Sequence, residues 1–245
     1  MAHYLRRAEN HEAMSHAVAE QMVAAIERQP GLLLCPAGGS TPLRAYDLLV
    51  AQRKQKPNLF QSLRLVKLDE WGGLKEDDPG TCEVQLQSLL IDPLGIPPER
   101  CWGFQGTASN PEDECARVRN RLAVEGPIDL CILGLGVNGH LGMNEPAPFL
   151  QPFAHVARLA ESSLQHPMLA DSKTRPSHGL TLGMAEILHS AQILLLVSGA
   201  SKRAPLERLL KHQISSDFPA SFLWLHHNWT LYCDHASTKG LDLKV

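Results

Sequence analysis

No apolar run in this 245-residue sequence approaches the ~18 residues that a membrane-crossing helix needs, so no membrane anchor is expected. The first twenty residues carry charges and histidines throughout and hold no secretory apolar core. Lysines and arginines are scattered instead of clustered and the net charge is only −3, which leaves no footprint for nucleic acid. The six cysteines form no CxxC pair, and Cys35 and Cys131 fall inside apolar runs where cysteine behaves as a small hydrophobe. No metal site is expected from them, and reduced thiols point to the cytoplasm. The pair His226-His227 is not read as a metal site either, because adjacent residues on a helix point in different directions. There is no internal repeat and no linker able to separate two domains, so residues 1–235 read as one domain and 236–245 as a flexible tail.

What the chain does have is 44% apolar residues, ordinary for a protein with a sizeable core, and a regular alternation of two patterns. Short apolar runs (Leu32 to Cys35, Leu63 to Leu68, Ile128 to Leu133, Ile193 to Val197, Trp229 to Cys233) read as buried strands. Between them lie amphipathic segments that read as helices: Glu12 to Gln29, Pro42 to Arg53, Cys82 to Leu90, Pro111 to Val124, Met184 to Leu188 and the stretch ending at Leu210. A short helix is expected over Ala220 to His226. Strands alternating with helices predict an α/β protein, a single Rossmann-like domain with a mainly parallel sheet covered by helices on both faces. The stretch Pro146 to Gly179 has weak periodicity and several prolines, and reads as a lid or a surface excursion.

Three strand ends carry chemistry. After the third apolar run comes Gly134-Leu-Gly-Val-Asn138-Gly-His140-Leu-Gly-Met-Asn-Glu145-Pro146, where glycines permit a sharp bend around a histidine with a glutamate five positions on. After the first comes Cys35-Pro-Ala-Gly38-Gly39-Ser40-Thr41-Pro42, whose small residues lead into a predicted helix start with proline at its first position. The free N–H groups of such a start suit an anion, best a phosphate. After the second comes Asp69-Glu70-Trp71-Gly-Gly, read as an acidic turn at a strand end. Open parallel sheets place their ligands at such loops, so an anion cradle, a carboxylate pair and a histidine loop are expected to meet.

With those segments in place the chain resembles the glucosamine-6-phosphate deaminase/6-phosphogluconolactonase family. Gly38 to Pro42, Leu68 to Leu74 and Gly134 to Pro146 carry the resemblance, with weaker matches at Leu180 to Met184 and Val197 to Lys202. The Asn144-Glu145-Pro146 ending looks like the deaminase branch. Lys67 to Trp71, Pro79 to Glu83 and Pro219 to His226 look closer to bacterial proteins named galactosamine-6-phosphate isomerase or deaminase.

The resemblance implies a 2-amino-2-deoxyhexose 6-phosphate as substrate, galactosamine 6-phosphate in the leading reading, giving tagatose 6-phosphate and ammonia. It implies His140 as the group that opens the sugar ring, Asp69 as the base at C2 and Glu145 as a partner of His140. Glu70 remains a weak candidate. Phosphate would be held by Gly38, Gly39, Ser40 and Thr41 with Lys202, and Gly136 would line the substrate site. Neither metal nor organic cofactor is expected; the partner is a small sugar phosphate, and a homo-oligomer is allowed. Two departures stand out. Position 138 is Asn where glucosamine-specific relatives commonly carry Asp, so Asn138 is expected to orient the ring of His140 without charge and Glu145 to be its sole anionic partner. A lid arginine that grips phosphate has no clear match; Arg158, Lys173 and Arg175 lie nearby. Alternative readings are a glucosamine-6-phosphate deaminase, a 6-phosphogluconolactonase using His140 to activate water, and a non-catalytic sugar-phosphate sensor.

Overall fold

The apolar runs become strands buried along their length, in a computed structural model that describes residues 4–243. The strands are β1 (Tyr4–Ala8), β2 (Leu33–Cys35), β3 (Arg64–Val66), β4 (Asp69–Gly72), β5 (Cys101–Trp102), β6 (Leu130–Gly134), β7 (His155–Ala157), β8 (His178–Thr181), β9 (Gln192–Val197) and β10 (Trp229–Asp234). The helices are α1 (His11–Arg28), α2 (Leu43–Ala51), α3 (Cys82–Leu86), α4 (Asp92–Leu94), α5 (Pro111–Glu125), α6 (Glu161–Leu164), α7 (Met184–Leu188), α8 (Arg203–Leu209) and α9 (His235–Thr238).

Seven strands form one parallel sheet in the order β1-β10-β9-β6-β2-β3-β5. Successive strand residues face opposite sides, and two cores follow from that alternation. Leu33, Cys35, Cys131, Leu133, Ile193 and Leu195 pack with Val118, Ile187 and Leu206 on one face. Leu34, Leu130, Ile132, Leu194 and Leu196 pack with Met14, Val18, Met22, Ile26, Tyr46 and Leu49 on the other. Helices thus cover both faces, as the alternating pattern predicts. Met14, Val18, Met22 and Ile26 are completely buried, and each contributes roughly 1.5–3 kcal/mol of burial. Asn10 starts that helix by accepting from Ala13 N–H at 2.9 Å.

The chain runs outward from β2 through β3 to β5, returns to β6 beside β2, and runs outward the other way through β9 to β10. The point of reversal lies between β2 and β6. Loops leaving the carboxyl ends of two such strands diverge and open a crevice there.

Several local expectations change. Asp69 and Glu70 do not sit in a turn; they open β4, which pairs antiparallel with β8 and through it β7 in a separate three-stranded sheet. The stretch Pro146 to Gly179 contributes β7, α6 and part of β8 to this second layer. A third apolar cluster of Trp71, Leu74, Cys82, Met143 and Ala157, with Met168 and Leu169 against it, ties that layer to the histidine loop. Pro42 precedes α2 instead of opening it, since the helix begins at Leu43. The flexible tail expected from Ala236 is replaced at its start by α9. Asp234 accepts from Ser237 N–H at 2.8 Å, which caps a helical turn whose Ser237 and Thr238 are buried. β1 and the two-residue β5 have no apolar run long enough to announce them.

Candidate active site

The crevice at the point of reversal is a cavity of about 480 Å³, within the size range of small-ligand sites. One wall is the segment Ala37 to Pro42 after β2, and the opposite wall is Gly134 to Glu145 after β6. Asp69, Ser198, Lys202 and residues of the segment from Ser162 to Met168 complete the lining.

The histidine loop holds its shape through glycines at two crowded points. A Cβ on Gly136 would lie 2.4 Å from the His140 ring, so only glycine leaves that ring room. Gly139 adopts φ +90°, and a Cβ there would sit 2.1 Å from Phe218. The N–H of Gly136 is spent on the His140 carbonyl at 3.1 Å, so Gly136 shapes the loop and offers the cavity no free donor.

His140 and Glu145 face each other, Nδ1 to Oε2, at 3.4 Å. Among the described residues no other carboxylate lies within ion-pairing distance of His140. Asn138 makes no hydrogen bond to the ring. Its Nδ2 donates to Glu145 Oε2 at 2.7 Å, and its Oδ1 accepts from the His140 backbone N–H at 3.2 Å. The amide has both a donor and an acceptor, so it locks the carboxylate in place where an ionised Asp would repel it. Glu145 Oε1 also accepts from Ser163 Oγ and from Ala160 N–H at 3.4 Å. Burial works against the Glu145 charge, but His140, Ser163 and Asn138 outweigh it and hold the carboxyl at about 2.

Asp69 has the opposite character. It is only 9% exposed, and burial pushes its carboxyl up to about 6 against the pull of the Cys82 thiol (3.6 Å from Oδ1) and of His140. Two carboxyls in one cavity are thus driven apart, one firmly ionised and one ready to exchange a proton near neutral pH. Such a split marks acid and base roles.

Glu70 lies outside this cavity. Strand residues alternate in direction, so Asp69 turns to the cavity and Glu70 away from it. The Glu70 carboxylate accepts from the N–H groups of Trp71 (2.7 Å), Cys82 (2.9 Å) and Glu83 (2.7 Å), and so anchors the start of α3. Burial raises it to about 7 although those bonds oppose the shift.

The anion end is narrower in its donors than the glycine-rich segment suggests. Gly39 N–H already donates to Gln85 Oε1 at 2.8 Å. The N–H groups of Ser40 and Thr41 are free of bonds among the described residues and lie ahead of α2, where the helix end favours negative charge. Lys202 Nζ reaches into the same end, held by Leu135 O at 2.7 Å, and burial lowers its pKa. Gly38 lines the cavity beside Cys82 and Gln85. Arg158, Lys173 and Arg175 are all exposed and none lines the cavity.

A family model described as glucosamine-6-phosphate isomerases/6-phosphogluconolactonase matches residues 6–232. The chain belongs to this family. It is 42% identical over 225 residues to "Putative deaminase AgaI" of Escherichia coli (strain K12), covering 92% of this chain and 89% of that one. It is 33% identical over 241 residues to a glucosamine-6-phosphate deaminase of Shouchella clausii (strain KSM-K16), covering 96% of each. The solved structure of a monomeric glucosamine-6-phosphate deaminase of the NagB superfamily superposes with a TM-score of 0.90 at 32% identity, covering 96% of this chain and 98% of that one. The 6-phosphogluconolactonase from Trypanosoma brucei superposes at 0.77 with 21% identity over 98% of this chain and 99% of that one, a likeness of fold alone.

Within this family frame, sequence reading missed Ser163, Cys82 and His166, all of which line the cavity. Ser163 and His166 sit in the segment of weak periodicity, where no local pattern singles out a polar side chain. Their one available signal was density of polar residues in Ser162-Ser163-Leu164-Gln165-His166. Among the described residues no group of three or more His, Cys, Asp or Glu is placed to hold a metal ion, and no helix is long and apolar enough to cross a membrane. The six cysteines are free thiols.

Proposed function

We propose that this chain converts galactosamine 6-phosphate and water to tagatose 6-phosphate and ammonia. The reading is carried by one observation: a buried carboxyl raised to about 6, Asp69, shares a cavity with the His140–Glu145 pair. The sugar phosphate would enter with its phosphate toward Ser40, Thr41 and Lys202 and its reducing end between Asp69 and His140. His140 carries the anomeric hydroxyl proton to the ring oxygen, which breaks the ring C–O bond and leaves an open aldehyde. That carbonyl acidifies the C2 proton; Asp69 removes it and the substrate's ammonium passes a proton to the C1 oxygen, which gives an enolamine. Asp69 then returns the proton to C1, leaving an imine at C2. Water adds to the imine carbon and ammonia departs, so the ketose 6-phosphate balances. Glu145 keeps His140 oriented and stabilises its cationic form, as a carboxylate behind a catalytic imidazole does elsewhere. Every one of these groups comes from a single chain.

The galacto preference is supported by the motifs Lys67 to Trp71, Pro79 to Glu83 and Pro219 to His226. The names of several relatives favour a second reading, glucosamine 6-phosphate as substrate with fructose 6-phosphate as product. Ammonia and ketose 6-phosphate formation from the two epimers, run beside 6-phosphogluconolactone hydrolysis, decides among them. Faster turnover of the galacto epimer is expected. Turnover of the gluco epimer alone would replace the leading reading with the second, and lactone hydrolysis alone would reject both.

A further inference from the structure

Asp69 is a buried carboxyl with a single hydrogen-bond partner. Among the described residues only the Cys82 thiol donates to it, Sγ to Oδ1 at 3.6 Å, an ordinary distance when sulfur is the donor. Oδ2 makes no hydrogen bond among those residues and lies beside Gly142 of the histidine loop, 3.4 Å from where a Cβ would be. Asp69, Cys82 and Gly142 all line the cavity. The carboxyl thus spends one oxygen on the protein and keeps the other for whatever the cavity holds.

The thiol is itself held from several sides. The Glu70 carboxylate accepts the N–H of Cys82 at 2.9 Å and that of Glu83 at 2.7 Å, which fixes the backbone at the start of α3. Trp71, Leu74, Met143 and Ala157 form an apolar cluster with Cys82, which is only 3% exposed. A Cβ on Gly38 would come within 3.1 Å of Sγ, closer than neighbouring groups normally sit, so glycine there leaves the sulfur its place. Burial first, then the charges of Asp69 and Glu70, push the thiol well above its ordinary range. It therefore keeps its proton and acts as a donor, not as a nucleophile. A thiol is a weak donor, able to orient a carboxylate without drawing down its basicity as a hydroxyl or an N–H would. The two adjacent carboxyls of β4 meet again here, because Glu70 fixes the residue that fixes Asp69.

We propose that Cys82 is the positioning residue of the proton-transfer base, holding Oδ1 of Asp69 so that Oδ2 meets the substrate carbon. The inference rests on reading Asp69 as that base. The other titratable groups around Asp69 are His140 from the histidine loop, Glu70 beside it, and the buried Cys35 and Tyr46 from β2 and α2. None of these hydrogen-bonds to it, and Lys67, just after β3, acts on the thiol.

The S–H stretch in the infrared reads the contact without any substrate. Subtracting the spectrum of Cys82→Ala isolates the Cys82 band from those of the other cysteines. The band should move to lower frequency as Asp69 ionises between about pH 5 and pH 8, and should ignore pH in Asp69→Asn. In turnover of the amino-sugar phosphates, Cys82→Ala should lose roughly tenfold in kcat, the scale of one hydrogen bond to a charged group, with KM changed less than about twofold. Its acid limb in kcat/KM should rise by about half a pH unit or more, because the ionised carboxyl has lost its donor. A cysteine that only fills space would leave that limb in place. A wild-type band that ignores pH, or a Cys82→Ala limb at the wild-type position, would each overturn the proposal. A band that titrates in a chain turning over neither epimer would instead sink the catalytic reading of Asp69, and with it the role assigned to Cys82, while the contact itself stood.

Discussion

Replacing Asp69 with Asn removes a charge at almost constant shape, and it should kill turnover while making the protein more stable. In the folded chain the Asp69 carboxyl titrates at about 6 against an ordinary value of 3.8, because burial disfavours its ionised form more than the Cys82 thiol and His140 favour it. The difference is about 2 pH units, and at about 1.4 kcal/mol per unit it amounts to roughly 3 kcal/mol. The folded pKa is raised, so the native state binds the proton more tightly than the unfolded chain. Below pH 3.8 both states are protonated and there is no penalty. Between pH 3.8 and 6 the penalty builds, and above pH 6 the native state carries all of it. Asn cannot ionise and escapes it. Urea unfolding of the wild type and Asp69→Asn at pH 4, 6 and 8 should therefore show matched stabilities at pH 4 and an advantage to the variant of about 2–3 kcal/mol at pH 8. Turnover should fall by roughly 10²–10⁴, the usual contribution of a positioned general base. In the wild type the same titration should appear as an acid limb in kcat/KM near pH 6, with about a tenfold loss by pH 5. An advantage independent of pH would show that Asp69 ionises as an ordinary surface carboxyl. Retained turnover would remove it from the chemistry altogether.

Glu145 should behave in the opposite sense. Its carboxyl is held at about 2 against an ordinary 4.5, so its contribution of roughly 3 kcal/mol is present above pH 4.5 and lost as pH falls toward 2. Glu145→Gln should be less stable than the wild type at pH 7, with the gap narrowing to about 1.4 kcal/mol at pH 3 and closing only near pH 2, and should lose at least 10² in kcat; near-full activity would show that His140 needs no anionic partner. Ser163→Ala removes the hydroxyl that donates to Glu145 from α6, and kcat measured at saturating substrate should fall by about tenfold, in keeping with a bond of ~1.5 kcal/mol to a charged group. Gly139→Ala drives a methyl into Phe218 from a left-handed backbone position, and thermal unfolding should report a loss of about 3 kcal/mol or failure to fold.

The family, the parallel core and the three segments that line the cavity were legible in the sequence, because each is written in contiguous residues. Apolar runs of strand length must be buried wherever they pair, and glycines between a strand and a helix permit the bends that a ligand loop needs. The roles of neighbouring charged residues were not legible in the same way. Asp69 and Glu70 are adjacent and chemically alike, and only their placement in β4 sends one into the cavity and the other to the start of α3. Asn138 reads locally as a partner for the ring two residues on, yet the fold brings Glu145 to its amide instead. The segment from Pro146 to Gly179 carried no period because its residues pack against the histidine loop and the second sheet, and do not form a continuous face of one long element.

The sequence by itself determined the five apolar strands β2, β3, β6, β9 and β10 of the parallel sheet, that helices cover both faces, and which strand ends carry Asp69, His140, Glu145 and the glycine-rich segment. The tertiary structure decided what surrounds them. Reversal of strand order between β2 and β6 opens the crevice. Burial and through-space partners then split the two carboxyls, one to about 2 and the other to about 6. Ser163 and His166 join the lining from the segment that follows β7. Local pattern fixes secondary structure because backbone geometry repeats every few residues, whereas dielectric surroundings and hydrogen-bond partners are set by residues far apart in sequence and exist only once the chain has closed on itself.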